Sequence, residues 1–140
     1  MKSSLILCVC GLLAVGLAGC SNGPTRQPLE ASGGVTLDGA DLGPADRVAC
    51  HREGGITMIS TGTDEAGTNS VVDNRTGLAV RSVEIRNLAG FSGTYLQNLQ
   101  GQAKVDMSGR TIVLTGEASG FTAQQPNRRT DVPFTIRVTC

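Results

Sequence analysis

Residues 132–140 read Val-Pro-Phe-Thr-Ile-Arg-Val-Thr-Cys, and apolar and polar side chains alternate through most of this stretch. Successive side chains of a β-strand point to opposite faces, so this period of two predicts a strand with one face toward a core. The residues on the predicted core face are Val132, Phe134, Ile136, Val138 and Cys140. The last strand therefore directs Cys140 inward.

Shorter stretches of the same kind recur along the chain between turn residues. Residues 35–37 read Val-Thr-Leu and stop at Asp38-Gly39, and Ser108-Gly109 separates two further alternating stretches. A turn dipeptide between such stretches is typical of a β-hairpin. Aromatic residues make up only 3% of the chain, so Val, Ile and Leu must form the core. We predict an all-β fold, an antiparallel sandwich or partly open barrel of about eight short strands.

The same alternation assigns faces to two early strands. The first places Val48 and Cys50 on the core face. The second strand, at 56–60, has Ile56 and Met58 on the same face because they are two residues apart, and we predict that both face inward.

Two stretches in the second half of the chain interrupt simple alternation. Residues 78–87 are predicted to form a longer strand with Val83 and Ile85 inward, and the change of parity between Val80 and Val83 indicates a β-bulge or kink. Residues 120–130 are polar and are predicted to form a solvated connection.

The N-terminus has the layout of a bacterial export signal that ends at a lipid attachment site. Residues 1–19 combine a positive Lys2 with an apolar stretch at 5–17, and Leu-Ala-Gly-Cys follows at 17–20. The apolar stretch has 13 residues, and a transmembrane helix needs about 20. A Cys20 thiolate is nucleophilic enough to take a diacylglyceryl group, so we predict cleavage before Cys20 and its lipidation. The alternative is an ordinary secretory signal with an incidental cysteine.

The segment after the signal is predicted to be a flexible tether. Residues 21–34 contain two Pro and three Gly and no apolar period, and such a chain has a root-mean-square reach of about 20 Å. We therefore predict a signal peptide at 1–19, a lipidated cysteine and tether at 20–34, and a β-rich domain at 35–140. This order predicts a protein attached by lipid to the extracytoplasmic face of the cell membrane.

Two cysteines remain in the predicted domain, Cys50 and Cys140. An exported chain reaches a compartment that permits disulfides, so the simplest prediction is a bridge between them. The strand patterns place both sulfur atoms on core faces, which suits such a bridge. Two free thiols are the alternative that the sequence leaves open.

Other polar residues were considered as ligands or catalysts. His51 is the only histidine, and we predict that it is exposed on a strand and neither binds metal nor acts as a base. Asp38, Asp41 and Asp46 lie in a Gly-bearing stretch, but their spacing matches no calcium loop. The Arg pair at 128–129 suits a phosphate or an acidic partner, although a solvated loop explains it as well.

The charge balance and the types of side chain argue against several classes of function. The chain has 12 basic and 12 acidic residues, and this balance argues against nucleic-acid binding. One histidine and scattered acids supply neither a nucleophile with its base nor paired carboxylates in a cleft. We therefore predict no enzymatic activity, no metal and no cofactor.

The order of these motifs resembles the mycobacterial nineteen-kilodalton lipoprotein antigen family. The lipobox is followed by a Pro/Gly tether, Val-Thr-Leu-Asp-Gly at 35–39, Val-Ala-Cys at 48–50 and Phe-Thr-Ile-Arg-Val-Thr-Cys at 134–140. The resemblance covers residues 35–140. Within this range, the stretches at 80–83 and 114–120 also match the family.

The resemblance implies a lipid-anchored cell-envelope protein that host immune receptors detect through its acylated cysteine. It also implies a disulfide, carried here onto Cys50 and Cys140. The function expected is that of a non-enzymatic surface antigen with an interaction or adhesin role. A carrier of envelope lipid or glycolipid is the alternative, and it would need an apolar pocket of several hundred Å³.

Overall fold

The computed structural model describes residues 30–140, and this part of the chain is all-β, as predicted. Ten strands, rather than about eight, form one antiparallel sheet that is not closed into a barrel. The strands are β1 (Ser32–Leu37), β2 (Ala40–Pro44), β3 (Val48–Glu53), β4 (Ile56–Gly62), β5 (Gly67–Asp73), β6 (Ala79–Leu88), β7 (Phe91–Leu96), β8 (Gln102–Ser108), β9 (Thr111–Thr122) and β10 (Gln125–Thr139).

The strand order is β2-β1-β10-β9-β7-β6-β5-β4-β3, and β8 pairs with β9 outside this path. β9 has 12 residues and pairs with two different strands along the same edge. Its first half, from Thr111 to Glu117, pairs with β8, and its second half, from Ser119 to Thr122, pairs with β7. The sheet therefore divides along β9.

The β3 edge of the sheet curls back under the far half. The Ala45 N–H, just before β3, donates to the Gly33 carbonyl of β1 at 2.8 Å. Cys50 of β3 is bonded to Cys140 at the end of β10. Met107 of β8 lines a groove together with the β3–β4 hairpin. The segment that contains β3 thus passes the start of β1, the end of β10 and the end of β8 in turn.

One apolar cluster fills the space between the two halves. The alternation predicted for β10 is confirmed, since Phe134, Ile136 and Val138 are at most 2% exposed. The most buried apolar residues come from strands on both sides of the curl, namely Ile59, Val72, Val83, Ile85, Ile112, Leu114, Phe134, Ile136 and Val138.

The prediction for β4 was wrong by one residue. Met58 is 46% exposed, whereas Ile59 is fully buried and Ile56 is only half-buried. The core face of β4 also carries Thr61, whose hydroxyl shares a hydrogen bond of 2.8 Å with the hydroxyl of Thr68 on β5. Because each hydroxyl is satisfied by the other, threonines can occupy core positions that the sequence pattern assigns to apolar residues.

The irregularity predicted in the long strand is confirmed. The pairing of β5 with β6 shifts where Val71 opposes Ser82 and Val72 opposes Val80, so Arg81 is the extra residue of a bulge. Val80 and Val83 can both face the core as a result.

Two predicted segment boundaries change. Residues 120–130 are mostly exposed, as predicted, but they belong to two strands rather than to a loop, because β9 continues to Thr122 and β10 begins at Gln125. The two strands form a hairpin whose polar residues are mostly exposed, and backbone pairing requires no apolar side chains. At the other end, β1 begins at Ser32 and pairs with β10, so residues 32–34 belong to the sheet rather than to the tether.

Candidate functional site

The predicted lipidation site and signal peptide lie outside the described residues. Cys20 and residues 1–29 are not described, so their assignment stays a prediction. Within residues 30–140, no helix is long and apolar enough to span a membrane.

The predicted disulfide between Cys50 and Cys140 is present. The two residues are 90 apart in sequence, and their Cα atoms are 5.9 Å apart. Both side chains are partly buried and pack against the core. The Cys140 N–H donates to the Arg110 carbonyl at 2.9 Å. The bridge therefore fastens the edge strand β3 to the end of the central strand β10.

A cavity of about 290 Å³ lies beside the bridge and is lined by Cys50, Arg52, Arg110 and Cys140. Both arginines are exposed. Within the described part of the chain, neither guanidinium takes part in an ion pair. This end of the domain therefore presents two exposed cationic groups that are available to bind an anion.

Sequence analysis missed a charged cluster around Asp73. This carboxylate is 1% exposed. It accepts bonds from the Arg75 backbone N–H, Nε and Nη2 at 2.9, 3.0 and 2.8 Å, and from Arg81 Nε and Nη2 at 2.9 and 2.7 Å. Arg81 Nη1 in turn donates to Gln97 Oε1 at 2.8 Å. The cluster thus joins the β5–β6 hairpin to the turn after β7.

These bonds hold the pKa of Asp73 well below its ordinary value. The largest cause is the hydrogen bonding from the Arg75 side chain, followed by the Arg75 backbone N–H and the Arg81 side chain. The same pairing raises the pKa of Arg75. A carboxylate engaged by two guanidiniums is not available as a base, so the cluster serves to fix the hairpin.

The remaining polar candidates lie apart from one another. His51 Nε2 lies 3.5 Å from Glu53 Oε2, with both side chains mostly exposed. Asp41 Oδ1 accepts a bond from the Gly43 N–H at 2.9 Å, which is a local turn contact. No group of three or more His, Cys, Asp or Glu residues in the described chain is placed to hold a metal. Arg129 donates to Gln100 on the surface.

The described residues form open surface grooves whose linings mix polar and apolar groups. One groove of about 380 Å³ lies over β8 and β9 and includes Gln102, Lys104 and Glu117 in its lining. A groove of about 170 Å³ has a more apolar lining that includes Leu42 and Leu88. It lies where β2 meets the turn between β4 and β5.

Comparison with known proteins finds similarity to mycobacterial lipoproteins. The chain is 31% identical to a putative lipoprotein of Mycobacterium indicus pranii over 141 residues, covering 100% of both chains. It is 30% identical to lipoprotein LpqH of Mycobacterium avium over 159 residues, and 30% identical to lipoprotein LpqH of Mycobacterium tuberculosis over 158 residues. These two alignments each cover 100% of this chain and 99% of the relative. The family described as Mycobacterium 19 kDa lipoprotein antigen matches residues 26–140. The chain therefore belongs to the Mycobacterium 19 kDa lipoprotein antigen family.

Proposed function

We propose that this protein is held on the extracytoplasmic face of the cell membrane by lipid on Cys20 and acts there as a surface antigen with an interaction or adhesin role. The observation that carries the proposal is the lipobox at 17–20 in a chain of a lipoprotein family. Residues 1–19 are then the signal that is removed, and Cys20 becomes the first residue of the mature protein.

The lipid on Cys20 explains how a domain without a membrane-spanning helix in residues 30–140 stays at the envelope. Each buried methylene contributes about 0.8 kcal/mol, and two acyl chains hold stably where one chain is marginal. A diacylglyceryl group on the sulfur supplies two chains. The acylated cysteine is also the group that a host immune receptor for lipoproteins would recognise.

Metabolic labelling with a radioactive fatty acid tests the anchor. We expect label on the wild-type protein and none on Cys20→Ala. The matched control is Cys8→Ala/Cys10→Ala, which removes two other thiols from the N-terminal region and should keep the label. Label that persists in Cys20→Ala would overturn the anchoring role of Cys20.

The receptor part of the proposal has its own test. Purified acylated protein should stimulate cells that carry a lipoprotein-sensing receptor, and Cys20→Ala should not. Equal stimulation by both forms would contradict recognition through the acylated cysteine.

The grooves favour an interaction domain over a carrier of lipid or glycolipid. A carrier needs an apolar cavity of several hundred Å³, whereas the 380 Å³ groove over β8 and β9 includes charged Lys104 and Glu117. We propose that the domain works through its surface, without enzymatic activity. Native mass spectrometry of the protein from cells should find no stoichiometric lipid beyond the anchor, and a retained second lipid would favour the carrier.

A further inference from the structure

We propose that the end of the domain around the disulfide binds the phosphate groups of anionic lipids in the bilayer that holds the anchor. This end, called the disulfide end below, consists of Arg52, Arg110 and the Cys50–Cys140 bridge. The domain then rests with this end against the membrane and its opposite end outward. The inference rests on the proposed lipidation of Cys20.

The path of the chain brings the disulfide end toward the anchor. β1 begins at Ser32, and Ser32 pairs with Thr139, the neighbour of Cys140. The tether therefore reaches the domain directly beside the bridge. The opposite end carries Arg128 and Arg129, near the start of the 15-residue strand β10.

The length of the tether limits how far the disulfide end can move from the bilayer. Cys20 and Ser32 are separated by only 12 positions, and the tether predicted from the sequence would have a root-mean-square span of about 20 Å. β10 rises roughly 3.3 Å per residue, so Arg128 lies roughly 40 Å along the strand from Cys140. The disulfide end is thus the part of the domain that meets the lipid surface first.

The chemistry of this end suits a phosphate. Arg52 and Arg110 line the same 290 Å³ cavity, and no acidic side chain contributes to its lining. A guanidinium offers paired donors that match phosphate oxygens. Glu53, the neighbour of Arg52 in sequence, lies 3.5 Å from His51, and the exposed Glu30 lies two residues before β1. Neither acid is part of the cavity lining.

The attraction between the two arginines and an anionic membrane surface is modest by itself, and the lipid anchor strengthens its effect. An arginine near an anionic membrane surface favours the bound form by roughly fivefold. Two arginines therefore favour the docked orientation by roughly 25-fold if their effects multiply. Because the tether keeps the domain close to the bilayer, this preference acts at high local concentration.

The test uses the lipidated full-length protein in bilayer nanodiscs that contain phosphatidylglycerol, with a paramagnetic label on the lipid headgroups. We expect the amide NMR signal of Gly109, at the disulfide end, to broaden much more strongly than that of Gln124, at the opposite end. Arg52→Glu/Arg110→Glu should reduce this difference to the smaller one that attachment of the tether beside the bridge leaves in phosphatidylcholine nanodiscs. Arg128→Glu/Arg129→Glu has the same charge change at the opposite end and should preserve it.

Two further measurements distinguish a failure of the proposed docking from a failure of the lipid anchor. Phosphatidylcholine nanodiscs, or 0.5 M salt, should weaken the difference between Gly109 and Gln124, since the attraction is electrostatic. Equal broadening at both ends in phosphatidylglycerol, or a difference that is as large in Arg52→Glu/Arg110→Glu as in the wild type, would overturn the docking alone. Failure of the wild-type protein to float with liposomes would overturn the anchor and, with it, this orientation.

Discussion

Removal of the Cys50–Cys140 bridge should cost the domain a large share of its stability. The bridge joins residues 90 apart, and a cross-link over a loop of that length lowers the entropy of the unfolded chain by an amount worth about 4.6 kcal/mol at 25 °C. A domain of this size shifts its melting temperature by about 4 °C for each kcal/mol. We therefore expect Cys50→Ala/Cys140→Ala to melt roughly 18 °C lower than the wild type.

Urea unfolding of the oxidised protein, the reduced protein and the double variant measures this loss. The reduced wild type should lose nearly as much as the variant, because the bond and not the sulfur atoms supplies the effect. The urea dependence of the free energy should also steepen, since the unfolded chain expands once it is no longer cross-linked. Val48→Ala is the matched control, because Val48 is likewise on β3 and packs partly buried against the core. It should lose only about 1 kcal/mol.

The reasoning would be refuted if the double variant lost less than Val48→Ala. In that case the curled arrangement of β3 against the ends of β1, β10 and β8 would hold by packing alone. A loss in the variant without a matching loss in the reduced wild type would instead assign the effect to the truncated side chains.

Three further predictions test the core, the charged cluster and a close backbone contact. Ile59→Ala should lose about 2–5 kcal/mol of unfolding free energy because Ile59 is fully buried, whereas Met58→Ala should change it by less than about 0.5 kcal/mol; urea titration compares them, and equal losses would contradict the face assigned to β4. Asp73→Asn should destabilise the domain at pH 7 and by a smaller amount at pH 3, because the pKa of Asp73 is lowered in the folded domain: its contribution is complete above the unfolded pKa of about 3.9 and is lost progressively as the pH falls from there through the lower folded pKa. A deficit that stays constant between these pH values would argue against the ion pairs. Gly120→Ala should lower the melting temperature in a thermal scan, because its added Cβ would overlap the backbone at Ser92; an unchanged melting temperature would contradict that close approach.

Much of the fold could be predicted because the strong strands follow a strict period of two. In β10 every second residue from Val132 to Val138 is apolar and buried, and the parity change in β6 correctly indicated the bulge at Arg81. The prediction for β4 was wrong because hydrophobicity alone does not reveal that Thr61 and Thr68 satisfy each other inside the core. The hairpin at 120–130 was missed because its pairing depends on the backbone and not on apolar side chains.

The cluster around Asp73 could not be found from local patterns. Arg75 is two residues away in sequence, but Arg81 belongs to the next strand, and Gln97 follows a third. Only the pairing of β5, β6 and β7 brings Arg81 to the Asp73 carboxylate and Gln97 to Arg81. The available signal was an Asp and an Arg two residues apart, at 73 and 75, followed by an arginine at the predicted bulge, and such a pattern is also common in solvated turns.

The most direct test of the central claim is the intact mass of the mature protein purified from its native membrane, with fragmentation to locate each modification. The account predicts a chain that begins at Cys20, carries a diacylglyceryl group on that sulfur, and is lighter by two hydrogens for the Cys50–Cys140 bridge. A mature chain with an unmodified Cys20, or one that begins at another residue, would contradict it.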